Sequence, residues 1–320
     1  MFFKNLLWEY ADYSAAMKWI EGFDPQIVFF QGFSMKYGYK FALKVCKKLN
    51  IPMILELTDD YTESLYKFSL FEKYNHKSYL KYFKEAIKYA VKTVVISPKM
   101  KKEYEKRFEG NFIVMMNSVP VSETEPPKKQ EAELTDFIYA GNVLLNRWRV
   151  LKDFAIALSS VNDKATLSVY TPDVPPENIL KEFSEAPNIH YGGRLNSSQL
   201  AERMSCCSAV VHVEAFDKLN SKITRLSLST KIPEYMSSGA LIVAIGPNDI
   251  SSIEYLNENK IAYCITDNEA EKIQSAVEKL YSPDFDRQKY IDTALSLCRS
   301  HHSIDKNAEI INKIIIEACN

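Results

Sequence analysis

The sequence lacks the short motifs that mark several large enzyme classes. Its 320 residues contain no GxGxxG turn, no GxxxxGK(S/T) loop, no HExxH pair and no GxSxG segment. These motifs hold dinucleotides, nucleoside triphosphates, catalytic zinc and a nucleophilic serine, respectively. Their absence argues against dinucleotide redox chemistry, P-loop phosphate transfer, zinc proteolysis and serine hydrolysis of the usual kinds.

Membrane spans, secretory features and paired cysteines are also missing from the sequence. No apolar run reaches the roughly 20 residues that a bilayer-spanning helix needs. The first residues show no signal-peptide pattern, and the 6 cysteines have no CxxC spacing. Cysteines scattered through apolar runs are typical of reduced proteins. We therefore expect a cytoplasmic protein with free thiols.

The charged residues are divided unevenly along the chain. Net charge is −1, with 46% hydrophobic and 25% charged residues, as in soluble globular proteins. Residues 1–122 carry 19 Lys and Arg against 13 Asp and Glu, whereas the remainder carries 21 against 28. A basic half joined to an acidic half indicates a different partner for each half.

The basic half contains lysine-rich helices interleaved with Tyr and Phe over residues 71–107. One interpretation is peripheral contact with an anionic membrane surface, where the protein meets a lipid-linked acceptor at the inner face of the membrane. The other is a solvated lysine face over an aromatic core. The basic residues match no nucleic-acid-binding module, so we expect no nucleic-acid partner.

Strands alternate with helices along the whole chain, which predicts α/β architecture with doubly wound parallel sheets. The sequence predicts two series of strands, at 26–30, 52–57, 93–96 and 112–116, and then at 137–140, 166–170, 188–191, 209–213, 241–245 and 261–265. It predicts helices at 5–21, 36–49, 74–90, from Ser97-Pro98 onward, and at 269–281, 285–300 and 304–318. Two Rossmann-like domains in tandem follow from this order.

A change of composition separates the two series. Pro, Ser, Thr, Glu and Lys dominate residues 117–133, as in an interdomain linker. The domains are predicted at 1–122 and 134–303, joined by a linker at 123–133 and followed by a C-terminal helix at 304–320 that packs back on the first domain. The first domain has about four strands and opens on a helix. We expect its opening strands to be missing, so that it is short or truncated; the alternative is a minimal domain.

The stretch 229–239 reads as a short helix with marked ends. Ser229 and Thr230 are N-cap residue types, Pro233 suits a first turn, and Gly239 suits the position just past a helix end.

Two charged residues give that stretch its functional interest. Lys231 and the free N–H groups of a helix start suit a phosphate group, and Glu234, one turn in, suits sugar hydroxyls. The alternative is an ordinary capped helix with an exposed lysine and glutamate.

Further polar residues follow other strands of the second series. Gly141-Asn142 follows the first strand, and Arg147 comes shortly after, where an arginine can bind a diphosphate through two parallel hydrogen bonds. The alternative is a βα turn with a surface arginine. Similar positions at later strand ends are held by Tyr170, Thr171, Gly193, Arg194 and Glu214. Because ligands bind beyond the carboxyl ends of such strands, this set predicts a nucleotide-sugar diphosphate site.

These segments resemble the donor domain of GT-B-fold glycosyltransferases, and most closely the family-4-like retaining enzymes of bacterial surface polysaccharide synthesis. The segments that carry the resemblance are 137–142 with Arg147, 167–170, 188–193 and 229–239. The resemblance spans most of the chain; it is specific over 137–246 and loose before that.

The resemblance implies roles for individual residues. Lys231 and Arg147 would neutralise the donor pyrophosphate, and Glu234 holds the place of the family's second motif glutamate, which binds the ribose hydroxyls. The first motif glutamate, eight residues earlier, is Leu226 here. Glu214 is the expected substitute for its contact with the donor hexose.

The implied function is a hexosyltransferase that moves a hexose from a nucleotide-diphosphate sugar to a glycan or lipid-linked acceptor, with retention and without metal or cofactor. Asp59 or Asp60, at a strand end, is the candidate group for proton transfer at the acceptor; the alternative is a helix N-cap pair. Asp284 and Asp286 have DxD spacing, but they follow a proline between two helices and indicate a helix start.

Two other functions stay open from the sequence. Leu226 and the short first domain favour a nucleotide-sugar-binding protein with lost catalysis. A nucleotide-sugar epimerase has the same fold.

Overall fold

The computed structural model describes residues 12–64, 70–120 and 133–319. The chain forms two compact units, one of Met1–Met116 with Asn307–Asn320 and the other of Asn117–Lys306. The predicted linker, apart from residue 133, and the first turns of the predicted opening helix lie outside the described residues.

The first unit contains a four-stranded parallel sheet whose strands follow chain order. Its strands are β1 (Val28–Gln31), β2 (Met53–Leu57), β3 (Lys92–Val95) and β4 (Phe112–Val114). Helix α1 (Ser14–Phe23) precedes these strands, and the helices between them are α2 (Lys36–Leu49), α3 (Tyr61–Ser64), α4 (Leu70–Tyr89) and α5 (Pro98–Arg107). The predicted strand at 26–30 therefore begins later than expected, and the helix predicted from 74 begins at Leu70.

Local chemistry explains two of these helices. The Ser97 hydroxyl accepts a hydrogen bond from the Met100 N–H (3.0 Å), and Pro98 occupies the first turn, which confirms the predicted capped start of α5. In α4 the lysines Lys77 and Lys84 are exposed, while Phe83 on the opposite face is fully buried. The lysine face thus covers an aromatic core.

The second unit contains a six-stranded parallel sheet in the order β10-β9-β8-β5-β6-β7. Its strands are β5 (Asp136–Ala140), β6 (Thr166–Tyr170), β7 (Ile189–Gly193), β8 (Ala209–Val213), β9 (Leu241–Ile245) and β10 (Tyr263–Ile265). Its helices are α6 (Arg147–Val161), α7 (Glu177–Glu185), α8 (Ser197–Cys206), α9 (Lys218–Thr224), α10 (Ile232–Ser237), α11 (Ser251–Glu258), α12 (Ala270–Leu280) and α13 (Arg287–His301).

The order in which successive strands join the sheet changes between β5 and β8, although all six strands are parallel. The chain runs outward from β5 to β7, returns to β8 beside β5, and then runs outward the other way to β10. In a doubly wound sheet the crevice at such a switch point is the place for a ligand. Every residue of β8 and β9 is buried, as expected for central parallel strands, although β8 includes one polar residue, His212.

The last helix, α14 (Ile304–Cys319), contributes to the core of the first unit. Ile314 is buried in an apolar cluster with Ile54 and Val94. The Asn307 amide donates to the Met116 carbonyl at 2.6 Å. In the described part of the chain, no helix is both long and apolar enough to cross a bilayer.

Candidate functional site

A cavity of about 410 Å³ lies at the carboxyl ends of β5, β6 and β8 in the second unit. Three cationic side chains line it, Arg147, Arg194 and Lys231, and none of the described lining residues is Asp or Glu. The other lining residues include Tyr139, Ala140, Gly141, Asn142, Tyr170, Thr171, His212, Ser229, Thr230 and Tyr235. A concave site with convergent positive charge is suited to an anionic ligand.

The wall at the end of β5 is fixed by hydrogen bonds. The Gly141 N–H donates to the Tyr170 carbonyl (3.0 Å), and the Tyr139 hydroxyl donates to the Asn142 carbonyl (2.7 Å). A Cβ at Gly141 would meet the Tyr139 hydroxyl oxygen at 2.9 Å, closer than normal contact. A larger residue at position 141 would therefore displace the Tyr139 hydroxyl from the turn that it braces.

A tight turn then delivers Arg147 to the cavity. Leu145 and Asn146 have positive φ (57° and 61°), and Asn146 precedes the first residue of α6, which is Arg147. The Asn146 amide donates to Oδ2 of Asp217 at 3.0 Å. This bond joins the turn after β5 to the start of α9, across the switch point.

Arg147 forms an ion pair with Glu214. Its Nη2 donates to Oε2 of Glu214 at 2.9 Å, and the carboxylate is 3% exposed. Burial alone would raise the pKa of Glu214, but His212 and the Arg147 guanidinium hold that pKa below its usual range. The guanidinium is thus held at the cavity by a buried, ionised carboxylate.

That pairing bears on the expected role of Glu214. Its carboxylate is buried behind Arg147 and is not among the residues that line the cavity. The hexose contact expected for Glu214 stays a prediction, while its role in the structure is to hold Arg147.

Lys231 and Glu234 form a second ion pair beside the cavity. Lys231 Nζ lies 2.9 Å from Oε2 and 3.1 Å from Oε1 of Glu234, and both side chains are about one-third exposed (33% and 36%). Glu234 itself does not line the cavity, whereas Lys231 does. An exposed pair of this kind is weak, so an incoming anion can compete for the lysine.

The helix predicted within the stretch 229–239 is α10, and its start differs from the prediction. α10 begins at Ile232, its N-cap residue is Lys231, and no side chain caps it. Ser229, expected as an N-cap, accepts from the Lys231 N–H at 3.4 Å and donates its own N–H to the Ser252 hydroxyl at 3.0 Å. Because α11 lies against this loop, Ser229 serves to anchor the loop. Thr230 is exposed at the cavity, and Gly239 has φ of 69°, as expected just past a helix end.

The ends of β6 and β7 form the opposite wall. The Thr171 N–H donates to the Gly193 carbonyl (3.0 Å), and the Thr171 hydroxyl donates to the Asp173 carbonyl (2.6 Å). Gly193 has φ of 80°, which favours glycine, and it precedes Arg194. Within the described residues, the exposed Arg194 guanidinium forms no ion pair.

The structure places Asp59 and Asp60 in the first unit, after β2. Asp60 is buried; it accepts from the Thr62 N–H (3.0 Å) and pairs with Arg107 (3.0 Å). Burial would raise the pKa of Asp60, but Thr62 and Arg107 hold it below its usual value. Asp59 accepts from the Tyr61 hydroxyl at 3.1 Å. The local hydrogen bond from Thr62 agrees with the alternative of a helix-start residue for Asp60.

The DxD spacing belongs to a helix start. Asp286 is the N-cap residue of α13 and accepts from the Lys289 N–H at 3.0 Å. Nowhere among the described residues do three or more His, Cys, Asp or Glu side chains come together in a group suited to a metal ion.

Three residues at the site were missed by the sequence reasoning: Tyr139, His212 and Tyr235. Tyr139 braces the turn after β5, and Tyr235 bonds to Ala140 at the end of the same strand. His212 had a usable signal, because residues two apart in a strand share one face, which places His212 beside the side chain of Glu214.

No family model matches the sequence, and no curated protein matches it. Solved structures match its fold. Sucrose-phosphate synthase from Thermosynechococcus elongatus superposes with a TM-score of 0.69 at 10% identity, over 97% of this chain and 78% of that one. HepE from Anabaena, in complex with UDP, gives a TM-score of 0.68 at 12% identity, over 94% and 81%.

A variant of TarM from S. aureus, in complex with fondaparinux, α-GlcNAc-glycerol and UDP, gives a TM-score of 0.65 at 14% identity. That match covers 95% of this chain and 58% of TarM, so this chain spans little more than half of TarM's length. At these identities the likeness shows the fold alone. It confirms the prediction from the sequence: the chain has the GT-B fold of glycosyltransferases, with two parallel α/β sheets.

Proposed function

We propose that the chain is a glycosyltransferase that binds a nucleotide-diphosphate sugar in the cavity of the second unit and transfers its hexose. One observation carries the proposal: three cationic side chains converge on a cavity at the switch point of a GT-B sheet, and none of the described residues that line it is a carboxylate. HepE has been solved with UDP and with UDP-glucose, which supports a uridine nucleotide as the first probe.

The chemistry follows from the charge that develops during transfer. As the glycosidic bond to the donor breaks, negative charge accumulates on the departing diphosphate. Arg147 is already oriented by Glu214, and Lys231 can exchange Glu234 for a phosphate oxygen. Positive groups that are already in place stabilise such developing charge without the cost of reorganisation during the reaction. Because these groups supply the stabilisation, we propose transfer without a metal ion, and with retention through attack on the same face of the sugar.

The remaining roles belong to the same proposal. Glu234, freed from Lys231, would bind the ribose hydroxyls, and the Gly193–Arg194 turn would lie against the base. The acceptor is a glycan or a lipid-linked sugar. The exposed lysines of α4 remain the candidate surface for peripheral membrane contact.

Ligand binding tests the first step of this function. A thermal-shift screen of nucleotide sugars, followed by calorimetry with UDP, is expected to show stabilisation by UDP and UDP-sugars. Lys231→Ala should weaken UDP binding, and Lys279→Ala, an exposed lysine of the same unit, should not. Equal affinity of all three proteins for UDP would refute the site.

A second function is favoured by one observation. Leu226 is 1% exposed, so the position of the family's first motif glutamate is a buried apolar side chain here. A protein without that sugar contact can bind a nucleotide sugar and not transfer it. Release of UDP from UDP-glucose, with and without candidate acceptors, distinguishes the two: turnover supports the transferase, and tight binding without turnover supports the binding protein. Conversion of the free nucleotide sugar to its epimer would instead indicate a nucleotide-sugar epimerase.

A further inference from the structure

His212 is a buried histidine at the cavity that the proposed chemistry has not used. It lies in β8, lines the cavity and is 5% exposed. Its Nε2 lies 3.4 Å from Oε1 of Glu214, without hydrogen-bond geometry, and has no other partner among the described residues. A buried polar atom without a partner is costly, which makes this ring nitrogen the unexplained group of the site.

The neighbouring carboxylate decides which tautomer the ring adopts. If Nε2 carries the proton, a small rotation completes a hydrogen bond to Oε1 of Glu214. If Nε2 is unprotonated, its lone pair faces a carboxylate oxygen and the two repel. The structure therefore favours the Nε2–H form of His212.

The same carboxylate is the partner of Arg147. Oε2 of Glu214 accepts from Arg147 Nη2 at 2.9 Å, while Oε1 faces His212. The base of the Glu214 side chain is fixed, because its N–H donates to the Ile245 carbonyl (2.8 Å) and a Cβ at Gly246 would lie only 2.8 Å from Glu214 Cβ. The carboxylate group of Glu214 can still rotate, and a hydrogen bond from His212 would prevent that rotation.

We propose that His212 is a positioning residue: through Glu214 it fixes the orientation in which the Arg147 guanidinium binds the donor diphosphate. This inference rests on the proposed function. A guanidinium has five N–H donors in a rigid plane, and Glu214 engages Nη2, so the orientation of the carboxylate sets where the remaining donors point. Two parallel hydrogen bonds to a diphosphate need that plane to be set in advance.

Substitutions that keep one nitrogen of the ring test this role. A glutamine amide can take the place of Nε2, and an asparagine amide that of Nδ1. We expect His212→Asn to weaken UDP binding on the order of tenfold, because a misoriented Arg147 loses one of its two charge-assisted hydrogen bonds to the diphosphate. Uridine, which has no diphosphate, should bind unchanged. His212→Gln should restore most of the UDP affinity. His190→Gln, at an exposed histidine of β7, is the matched control.

The measurements are calorimetry for UDP and NMR titration for uridine. Native UDP affinity in His212→Asn would overturn the proposal, as would equal loss of UDP and uridine binding, because the ring would then contact the nucleoside or support the fold. Equal UDP affinity of His212→Asn and His212→Gln would also overturn the proposal.

A measurement without ligand separates this inference from the proposed function. Long-range ¹⁵N–¹H NMR correlations of the native protein are expected to show His212 as the Nε2–H tautomer. The Nδ1–H tautomer would overturn the inference whatever the protein binds. If the native protein fails to bind UDP, the proposed function fails, and the tautomer still decides whether His212 holds Glu214.

Discussion

The Tyr235 hydroxyl bonds to both backbone groups of Ala140: it donates to the carbonyl at 3.0 Å and accepts from the N–H at 3.2 Å. The β5–β8 ladder ends at Tyr139, paired with Val211, so the hydroxyl takes the place of the next rung. Tyr235, a residue of α10, thereby completes the hydrogen bonding of β5, the strand whose end forms the cavity wall. The same two bonds therefore join α10 to the strand end that forms the cavity wall.

Tyr235→Phe removes both bonds and leaves a buried N–H and a buried carbonyl without this partner. We expect the free energy of unfolding to fall by about 2 kcal/mol, the cost of such unsatisfied groups. Urea denaturation followed by circular dichroism measures it. Tyr290→Phe, at a half-buried tyrosine whose hydroxyl has no hydrogen bond within the described residues, should change the free energy of unfolding by less than about 0.5 kcal/mol. Equal effects of the two substitutions would contradict the role of Tyr235.

The Lys231–Glu234 pair allows opposite predictions to be compared. If Glu234 binds the ribose, Glu234→Ala weakens the binding of UDP and of uridine. If Glu234 only competes with the ligand for Lys231, the same change strengthens UDP binding. We expect the first result, with a loss on the order of tenfold, and expect Lys231→Ala to weaken UDP binding alone. Calorimetry and NMR titration measure the two ligands.

Folding stability provides the control for that pair. Because both side chains are about one-third exposed, either substitution should change the free energy of unfolding by less than about 1 kcal/mol. A larger loss of stability in both variants would mean that the pair is structural and that any change in affinity is indirect.

Gly246 is required where the end of β9 passes Glu214. A Cβ there would lie 2.8 Å from Glu214 Cβ and 3.1 Å from Cγ1 of Ile253. We expect Gly246→Ala to lower the free energy of unfolding by about 1–3 kcal/mol through overpacking, and to weaken UDP binding because Glu214 moves with Arg147. Gly22→Ala is the control, since nothing lies within 4 Å of its added methyl group, in a helix where alanine is favoured. Thermal and urea unfolding compare the two; a neutral Gly246→Ala would refute the tight contact.

His302 predicts a loss of stability in mild acid. Its Nε2 accepts from the Tyr255 hydroxyl (2.9 Å) and its Nδ1 donates to the Asn117 carbonyl (2.7 Å), so the neutral ring is fully bonded. Burial lowers the pKa of His302 below the ordinary 6.5. Near pH 6.5 the ring therefore takes up a proton in the unfolded chain but stays neutral in the folded protein. The free energy of unfolding falls as the pH drops below about 6.5.

Urea denaturation at pH 7.5 and pH 5.5 checks this. The native protein should lose more stability between the two pH values than His302→Gln, by at most about 1.4 kcal/mol per pH unit. Parallel pH dependence of the native protein and His302→Gln would contradict the role of His302.

Much of the fold could be predicted from local patterns. The valine-rich segment 209–213 and the apolar run 241–245 predicted β8 and β9 with the observed bounds, and the Ser97-Pro98 cap predicted the start of α5. The start of α10 was predicted wrongly, because cap residue types at 229 and 230 say nothing about α11, whose Ser252 binds Ser229 instead.

The cationic residues of the site were predicted, but their partners were not. Arg147 and Glu214 lie 67 positions apart in the sequence, and only the adjacency of β5 and β8 brings them together. Strand order is decided by packing across the whole sheet, which no local spacing records. The two-residue spacing of His212 and Glu214 could be recognised in the sequence. Its role could not, because that role depends on the contact between Glu214 and Arg147.

The switch point has a mechanical consequence for the second unit. β5–β7 form one wing of the sheet and β8–β10 the other, and the cavity takes residues from both. Gly141, Thr171 and Arg194 belong to the first wing, and His212 and Lys231 to the second. A diphosphate bound by Arg147, which follows β5, and by Lys231, which precedes β9, would link the two wings of the sheet non-covalently. Because the ligand binds only the folded sheet, occupancy of the cavity would stabilise both wings against unfolding.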